Sequence, residues 1–218
     1  KLVTEYHVNP IGIDVEKPRL SWQIVSDQQN VSQSAYEIRV YSASKTTYKK
    51  GKQIWTSGKV TSDQSVNVSY EGPAIKSMER AYWQVLIWDN SNKASGWSDL
   101  AYWEMGILEP SSWSASWIGM KDENAGDDTP PAQYYRTEFS SGKKVASARS
   151  YATPLGLYEL YLNGETVGDT LFTTGWTSNS NRVQDQTYDV TRMVEQNNDL
   201  AACLGDGWYR GNIGGPDL

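Results

Sequence analysis

The chain has 218 residues, with 20 basic against 26 acidic side chains, a formal net charge of −6 and one cysteine. That length allows one large domain or two ordinary ones, each with its own core. The acidic balance without a dense Lys/Arg cluster argues against nucleic acid as a partner, the single Cys203 excludes an intrachain disulfide, and no run nears the roughly 20 apolar residues of a membrane span.

The opening KLVTEYHVNP lacks the basic-then-apolar layout of a signal peptide. Aromatic usage is skewed to 10 Trp and 14 Tyr against 2 Phe, rings whose polar tips suit interfaces and carbohydrate platforms as well as sheet cores. Period-two alternation then dominates the first half. RLSWQIV (19–25) sets Leu20, Trp22 and Ile24 on one face, and YEIRVY (36–41) sets Tyr36, Ile38 and Val40 opposite Glu37, Arg39 and Tyr41. QIWTSGKV (53–60) carries a Ser-Gly turn. In YWQVLIW (82–88) both the Trp83, Val85, Ile87 face and the Tyr82, Leu86, Trp88 face are apolar, which predicts a strand covered on both sides. Turn clusters at 26–30, 71–73 and 89–96 punctuate these runs, the pattern of an antiparallel sandwich over 1–108. EPSSWSAS (109–116) breaks the alternation and reads as a linker.

KDENAGDDTPP (121–131) follows, acidic and proline-containing. Asp122, Asn124 and Asp128 have some calcium-loop character, but Gly126 is misplaced for an EF-hand and Gln133 stands where its bidentate Glu belongs, so a solvated loop is the better reading. Strand-like runs resume at 134–140, 145–153 and 157–167, the last holding Asn163-Gly164, a pair that tolerates the positive φ of a type I′ hairpin turn. TYDVTRMVEQNND (187–199) has room for a single helical turn capped by Asp189 or Thr191, with Val190, Met193 and Val194 inward. The strand DLAACLG follows, its Cys203 expected to be a buried, inert thiol, and leads into GDGWYRG (205–211).

Little of the chemistry repertoire fits. His7 is the only histidine, which rules out histidine-built metal sites and leaves a nucleophile–His system resting on a residue near a terminus. GDGWYRG lacks the Lys and Ser/Thr of a phosphate loop. Glu159, Asp169, Asp185 and Asp206 are acids of the kind a glycosidase pairs across a cleft, though hairpin, cap and surface roles explain them as well. GDGWYRG itself admits two readings: a turn whose rings fill a domain interface, or rings and an Asp/Arg pair arranged for a sugar.

The ordered motifs NPIGID (9–14), PRLSW (18–22), SDQSV (62–66), YWQVLIWD (82–89), WSASWIG (113–119), LGLYELYLNGETVGD (155–169), GWTSNSNRVQDQTYDVT (175–191) and GDGWYRG resemble the N-terminal region of the bacterial α-L-rhamnosidases of glycoside hydrolase family 78. The resemblance implies an all-β chain: a fibronectin-III or immunoglobulin-like sandwich over 1–108, then over 117–218 the first part of a jelly-roll sandwich similar to a carbohydrate-binding module. In the family an (α/α)6 barrel supplies the acid and base of an inverting mechanism, so no residue here is assigned a catalytic role. A jelly roll ending at Leu218 would leave an edge and part of its core uncovered. Trp176, Asp206, Trp208, Tyr209 and Arg210 are the implied sugar-contacting or barrel-facing residues, with Asp206 and Arg210 sharing sugar hydroxyls and the rings stacking. The resemblance implies no required cofactor; some members of the family bind rhamnose at the jelly roll with the help of a calcium ion, and no calcium ligands are assigned to particular residues here. The implied partners are rhamnose-containing glycans or glycosides and the barrel, in a periplasmic or secreted setting. Two other classes stand beside this reading: an autonomous carbohydrate-binding module, and an immunoglobulin-like interaction protein.

Overall fold

The computed structural model describes residues 1–44, 48–120 and 131–210, and the chain divides into two units, Lys1–Ser114 and Ala115–Leu218. The strands of the first unit are β1 (Leu2–Thr4), β2 (Arg19–Trp22), β3 (Gln33–Ala43), β4 (Lys50–Thr56), β5 (Val60–Thr61), β6 (Val68–Ser69), β7 (Arg80–Asp89), β8 (Ala94–Trp97) and β9 (Ala101–Glu104). They form two antiparallel sheets. One runs β1-β2-β6; the other runs β4-β3-β7-β8, with β5 also pairing β3 and β9 also pairing β7.

Both sheets contribute to one core, which identifies the faces that alternation assigned. Leu20 and Trp22 come from the small sheet, and Tyr36, Ile38, Val40, Trp83, Val85 and Trp103 from the large one, all buried. Burial of each such side chain contributes about 1.5–3 kcal/mol. Aromatic edges lock the layers: Trp22 meets Tyr36 with centroids 5.1 Å apart, and Tyr70 meets both Trp55 and Trp103 at 5.3 Å. The Tyr70 hydroxyl donates to the Pro73 carbonyl at 2.8 Å, and burial pushes its phenol up to about 12.

Two local expectations need correction. Ile24 does not continue the buried face, because β2 ends at Trp22 and Ile24 is left 39% exposed. Nor is β7 covered on both sides by packed layers. Its second face lies half exposed on the outside of the sheet, where cations cover aromatic rings: Lys59 Nζ over Trp88 at 4.2 Å and Arg39 over Trp97 at 4.2 Å. Lys50 Nζ likewise sits 4.4 Å from the Tyr41 centroid. Rings of this kind need contact area, and a long cationic stem supplies it while its head stays in water. At one end of that face Arg80 is sandwiched between Tyr48 and Tyr102, at 4.5 and 4.0 Å, and pairs with the fully buried Glu104 at 2.8 Å.

The second unit contains β10 (Gln133–Ser140), β11 (Arg149–Ala152), β12 (Leu157–Leu162), β13 (Glu165–Thr166), β14 (Gln186–Asp189), β15 (Asn197–Gly205) and the single-turn helix α1 (Gly207–Arg210). An antiparallel sheet runs β10-β15-β12-β13, and β11 pairs β14. Tyr158, Leu160 and Leu162 of β12 alternate inward and join Val167 and Val190 in the core. Asn163 and Gly164 turn the β12–β13 hairpin with φ of 54° and 82°, the two positive values a type I′ turn requires.

Asn163 does more than turn. Its amide nitrogen donates to the Met193 carbonyl at 2.8 Å and to Asn198 Oδ1 at 3.1 Å, while its oxygen accepts from the Asp199 amide at 2.9 Å. The expected helical turn appears as a turn in which Met193 and Val194 donate to the Val190 carbonyl and Asp189 Oδ1 accepts from the Thr191 amide. Cys203 departs from expectation. It is half-buried, because it shares the outer face of β15 with Ala201, opposite Tyr134 on β10 and Glu159 on β12. On the opposite face, Thr137 and Phe139 of β10 share the side of Leu200 and Asn198 but are solvent-exposed, Phe139 at 40%.

Candidate functional site

Two loops meet where β12 begins and β15 ends. Leu157 pairs with Gly205, and the next residue, Tyr158, forms a bridge to Thr173, its amide donating to the Thr173 carbonyl at 2.8 Å. The stretch 171–176 and the stretch 205–210 therefore emerge together. Two glycines make this approach possible. A Cβ on Gly156, at φ +122°, would stand 2.2 Å from the Gly205 carbonyl oxygen, and one on Gly207, at φ +48°, would stand 2.4 Å from Leu157 Cγ. These positions exclude side chains on both steric and backbone grounds. The Gly175 amide donates to Gln184 Oε1 at 3.1 Å, and Thr153 Oγ1 donates to the Gln184 carbonyl at 2.9 Å, which anchors the first loop.

All five sequence-predicted residues lie in these two loops. The indoles of Trp176 and Trp208 stack with centroids 5.5 Å apart and planes 15° from parallel, yet remain 70% and 42% exposed. Such a pair contributes about 0.5–1.5 kcal/mol beyond its buried area and still presents a flat ring to solvent. Tyr209 is likewise exposed. The one-turn helix α1 brings Arg210 back onto Asp206, with Nε at 2.9 Å and a terminal nitrogen at 2.6 Å from the same Oδ1. Asp206 and Arg210 thus spend this contact on each other, so a ligand hydroxyl would add to an existing ion pair rather than meet two separate groups. Sequence reasoning did not single out Leu171 and Phe172, 73% and 76% exposed in the first loop. The signal available was the apolar pair in TLFTTGW, set between turn residues.

Among the described residues no three His, Cys, Asp or Glu side chains come together as a metal site. Asp122, Asn124 and Asp128 lie outside the described residues. The first unit has a cleft of about 810 Å³ lined by Trp22, Ile24, Val25, Ile87 and Leu100, and none of the sequence-predicted site residues falls in it.

Residues 1–109 match the family described as the Rha78A-like, N-terminal immunoglobulin domain, and residues 143–217 match the alpha-L-rhamnosidase N-terminal domain. An alpha-L-rhamnosidase of Alteromonas sp. (strain LOR) is 40% identical across 97% of this chain, and one of Formosa agariphila is 35% identical across 97%. The solved alpha-L-rhamnosidase structure from Dictyoglumus thermophilum superposes with a TM-score of 0.84 at 31% identity, covering 96% of this chain and 25% of that one. For the structure from Aspergillus terreus the TM-score is 0.80 at 31% identity, with 95% and 24% covered. This chain spans about a quarter of the length of these relatives, 24% of each of the two sequences. With the immunoglobulin-domain match spanning half of it and the rhamnosidase domain following, the chain belongs to the family of α-L-rhamnosidase N-terminal regions.

Proposed function

We propose that this chain is the accessory, non-catalytic N-terminal region of an inverting enzyme that hydrolyses terminal α-L-rhamnosides, and that the paired loops of its second unit contact sugar. The names of its relatives support the substrate class, and the stacked, exposed Trp176–Trp208 pair carries the sugar-contacting role. A pyranose presents C–H faces to such a ring, while the neighbouring Asp206–Arg210 pair offers charged partners to its hydroxyls. The acid and base belong outside these residues. Purified chain incubated with an aryl α-L-rhamnoside releases no aryl alcohol on this reading; turnover would place the catalytic groups within it.

L-rhamnose titrated against the chain, followed by Trp fluorescence with and without calcium, tests the platform. Saturable quenching that Trp208→Ala removes is the expected result, and a calcium requirement would add the cofactor. A second reading has its own support. Leu171 and Phe172 extend the exposed apolar surface at the same loops, which suits packing against the enzyme's catalytic domain. A flat titration in both conditions favours that reading.

A further inference from the structure

Residues 38–62 hold Arg39, Lys45, Lys49, Lys50, Lys52 and Lys59 and no acidic residue, in a chain whose net charge is −6. The large sheet of the first unit lays three of these cations along its outer face. Tyr41 of β3 pairs with Tyr82 of β7, Arg39 with Gln84, and Leu86 with Trp97 of β8, with Trp88 two residues further on. Lys50 lies over Tyr41, Arg39 over Trp97 and Lys59 over Trp88. The ring-held heads therefore follow one another along β7 from the level of Tyr82 to that of Trp88, about 20 Å of strand. Lys52 adds an exposed fourth on the edge strand β4. We propose that this row binds an anionic polysaccharide, a glycan chain carrying carboxylate or sulfate groups.

The acids on the strands of this sheet are Glu37, Asp89 and Glu104, and each is already engaged. Glu37 holds Arg39 at 2.8 Å, Glu104 is buried against Arg80, and Asp89 Oδ1 accepts from the amides of Ser91 and Lys93, both at 2.8 Å. Lys50, Lys52 and Lys59 carry the excess positive charge; among the described residues no carboxylate pairs with them, and Lys59 Nζ donates only to the neutral Asn92 Oδ1 at 3.1 Å. A lysine resting on a ring has given up part of its side-chain freedom in advance, so an anion that joins it orders less. The same rings select the class of polymer. Their faces are taken by cations, which leaves no platform for the base stacking that single-stranded nucleic acid needs. None of the exposed large apolar side chains lies on β3, β4, β7, β8 or β9, so this face has nothing to insert into a lipid surface. A polysaccharide needs only its anions met, and the choice of a glycan also rests on reading the chain as part of a glycoside hydrolase.

Biolayer interferometry of the intact chain on immobilised polygalacturonate and dextran sulfate, with neutral dextran and poly(dT) beside them, tests the row. The expected result is binding to at least one of the two anionic polysaccharides, the pair telling carboxylate from sulfate, that weakens as salt rises from about 0.01 to 0.15 M. Lys50→Glu with Lys59→Glu weakens it by about tenfold or more, whereas Lys50→Arg with Lys59→Arg keeps the charges and the binding. Lys143→Glu with Lys144→Glu changes the net charge equally but in the second unit, and leaves binding within about twofold of the parent. Circular dichroism checks that each variant is folded. No binding to either anionic polysaccharide, equal weakening by the two double reversals, loss in the arginine variant, or dextran or poly(dT) held as tightly would each overturn the proposal. These variants leave Trp176 and Trp208 untouched, so the rhamnose titration decides the paired-loop reading separately.

Discussion

Replacing Arg80 by Ala tests the least sequence-legible part of the first unit. The Glu104 side chain is fully buried and Arg80 is 10% exposed, with Nε and a terminal nitrogen 3.1 and 2.8 Å from Glu104 Oε2. The substitution removes two charge-assisted hydrogen bonds and leaves a carboxylate in the interior, a loss of about 3–5 kcal/mol. The two flanking rings lose a cation as well, about 0.5–1 kcal/mol each. For a domain of this size the sum corresponds to a fall in Tm on the order of 15 °C. Scanning calorimetry of the intact chain measures it. One companion identifies the cause: Arg80→Met with Glu104→Leu recovers most of the loss, because apolar groups of similar volume replace both charges. A deficit under about 1 kcal/mol, or one that the double variant does not relieve, would refute the reasoning.

Tyr70 makes the fold alkali-sensitive: its phenol is raised to about 12 in the folded state against about 10 unfolded. The associated stability is intact below pH 10 and lost as pH rises toward 12, about 3 kcal/mol in all; Tyr70→Phe flattens this limb in pH-dependent urea melts. Asn163→Gly keeps the turn but removes three hydrogen bonds that join the β12–β13 turn to the 190–194 turn and β15, lowering the stability of the second unit in urea melts by about 2–3 kcal/mol. Gly156→Ala forces apart the strands that carry the two site loops and abolishes the Trp176–Trp208 stack, read as a change in near-UV circular dichroism with the first unit's melt unchanged.

What could be read from the sequence follows period. The inward faces of β3, β7 and β12 and the Asn163-Gly164 turn are local patterns, and the structure has them. The Arg80–Glu104 pair was not legible, because charges on two different strands look like two surface residues until β9 is laid beside β7. Cys203 misled for a related reason. LAACL is apolar throughout, but β15 turns alternate residues outward, and small Ala201 and Cys203 take the wet side. At the candidate site composition pointed to GDGWYRG and the family resemblance to Trp176, yet no spacing rule brings two loops together across a sheet. That meeting depends on Gly156 and Gly207, whose missing side chains let the backbones close.

The cations lying over the rings of the large sheet give the first unit a hydrated armour. Flat, aromatic-rich sheet faces invite stacking with neighbouring molecules; here each approach would first have to strip Lys50, Lys59 and Arg39 of water. Water held by ammonium and guanidinium groups thus stands between those rings and any neighbour, and acetylating Lys50 and Lys59 would remove two of the three charges that hold it.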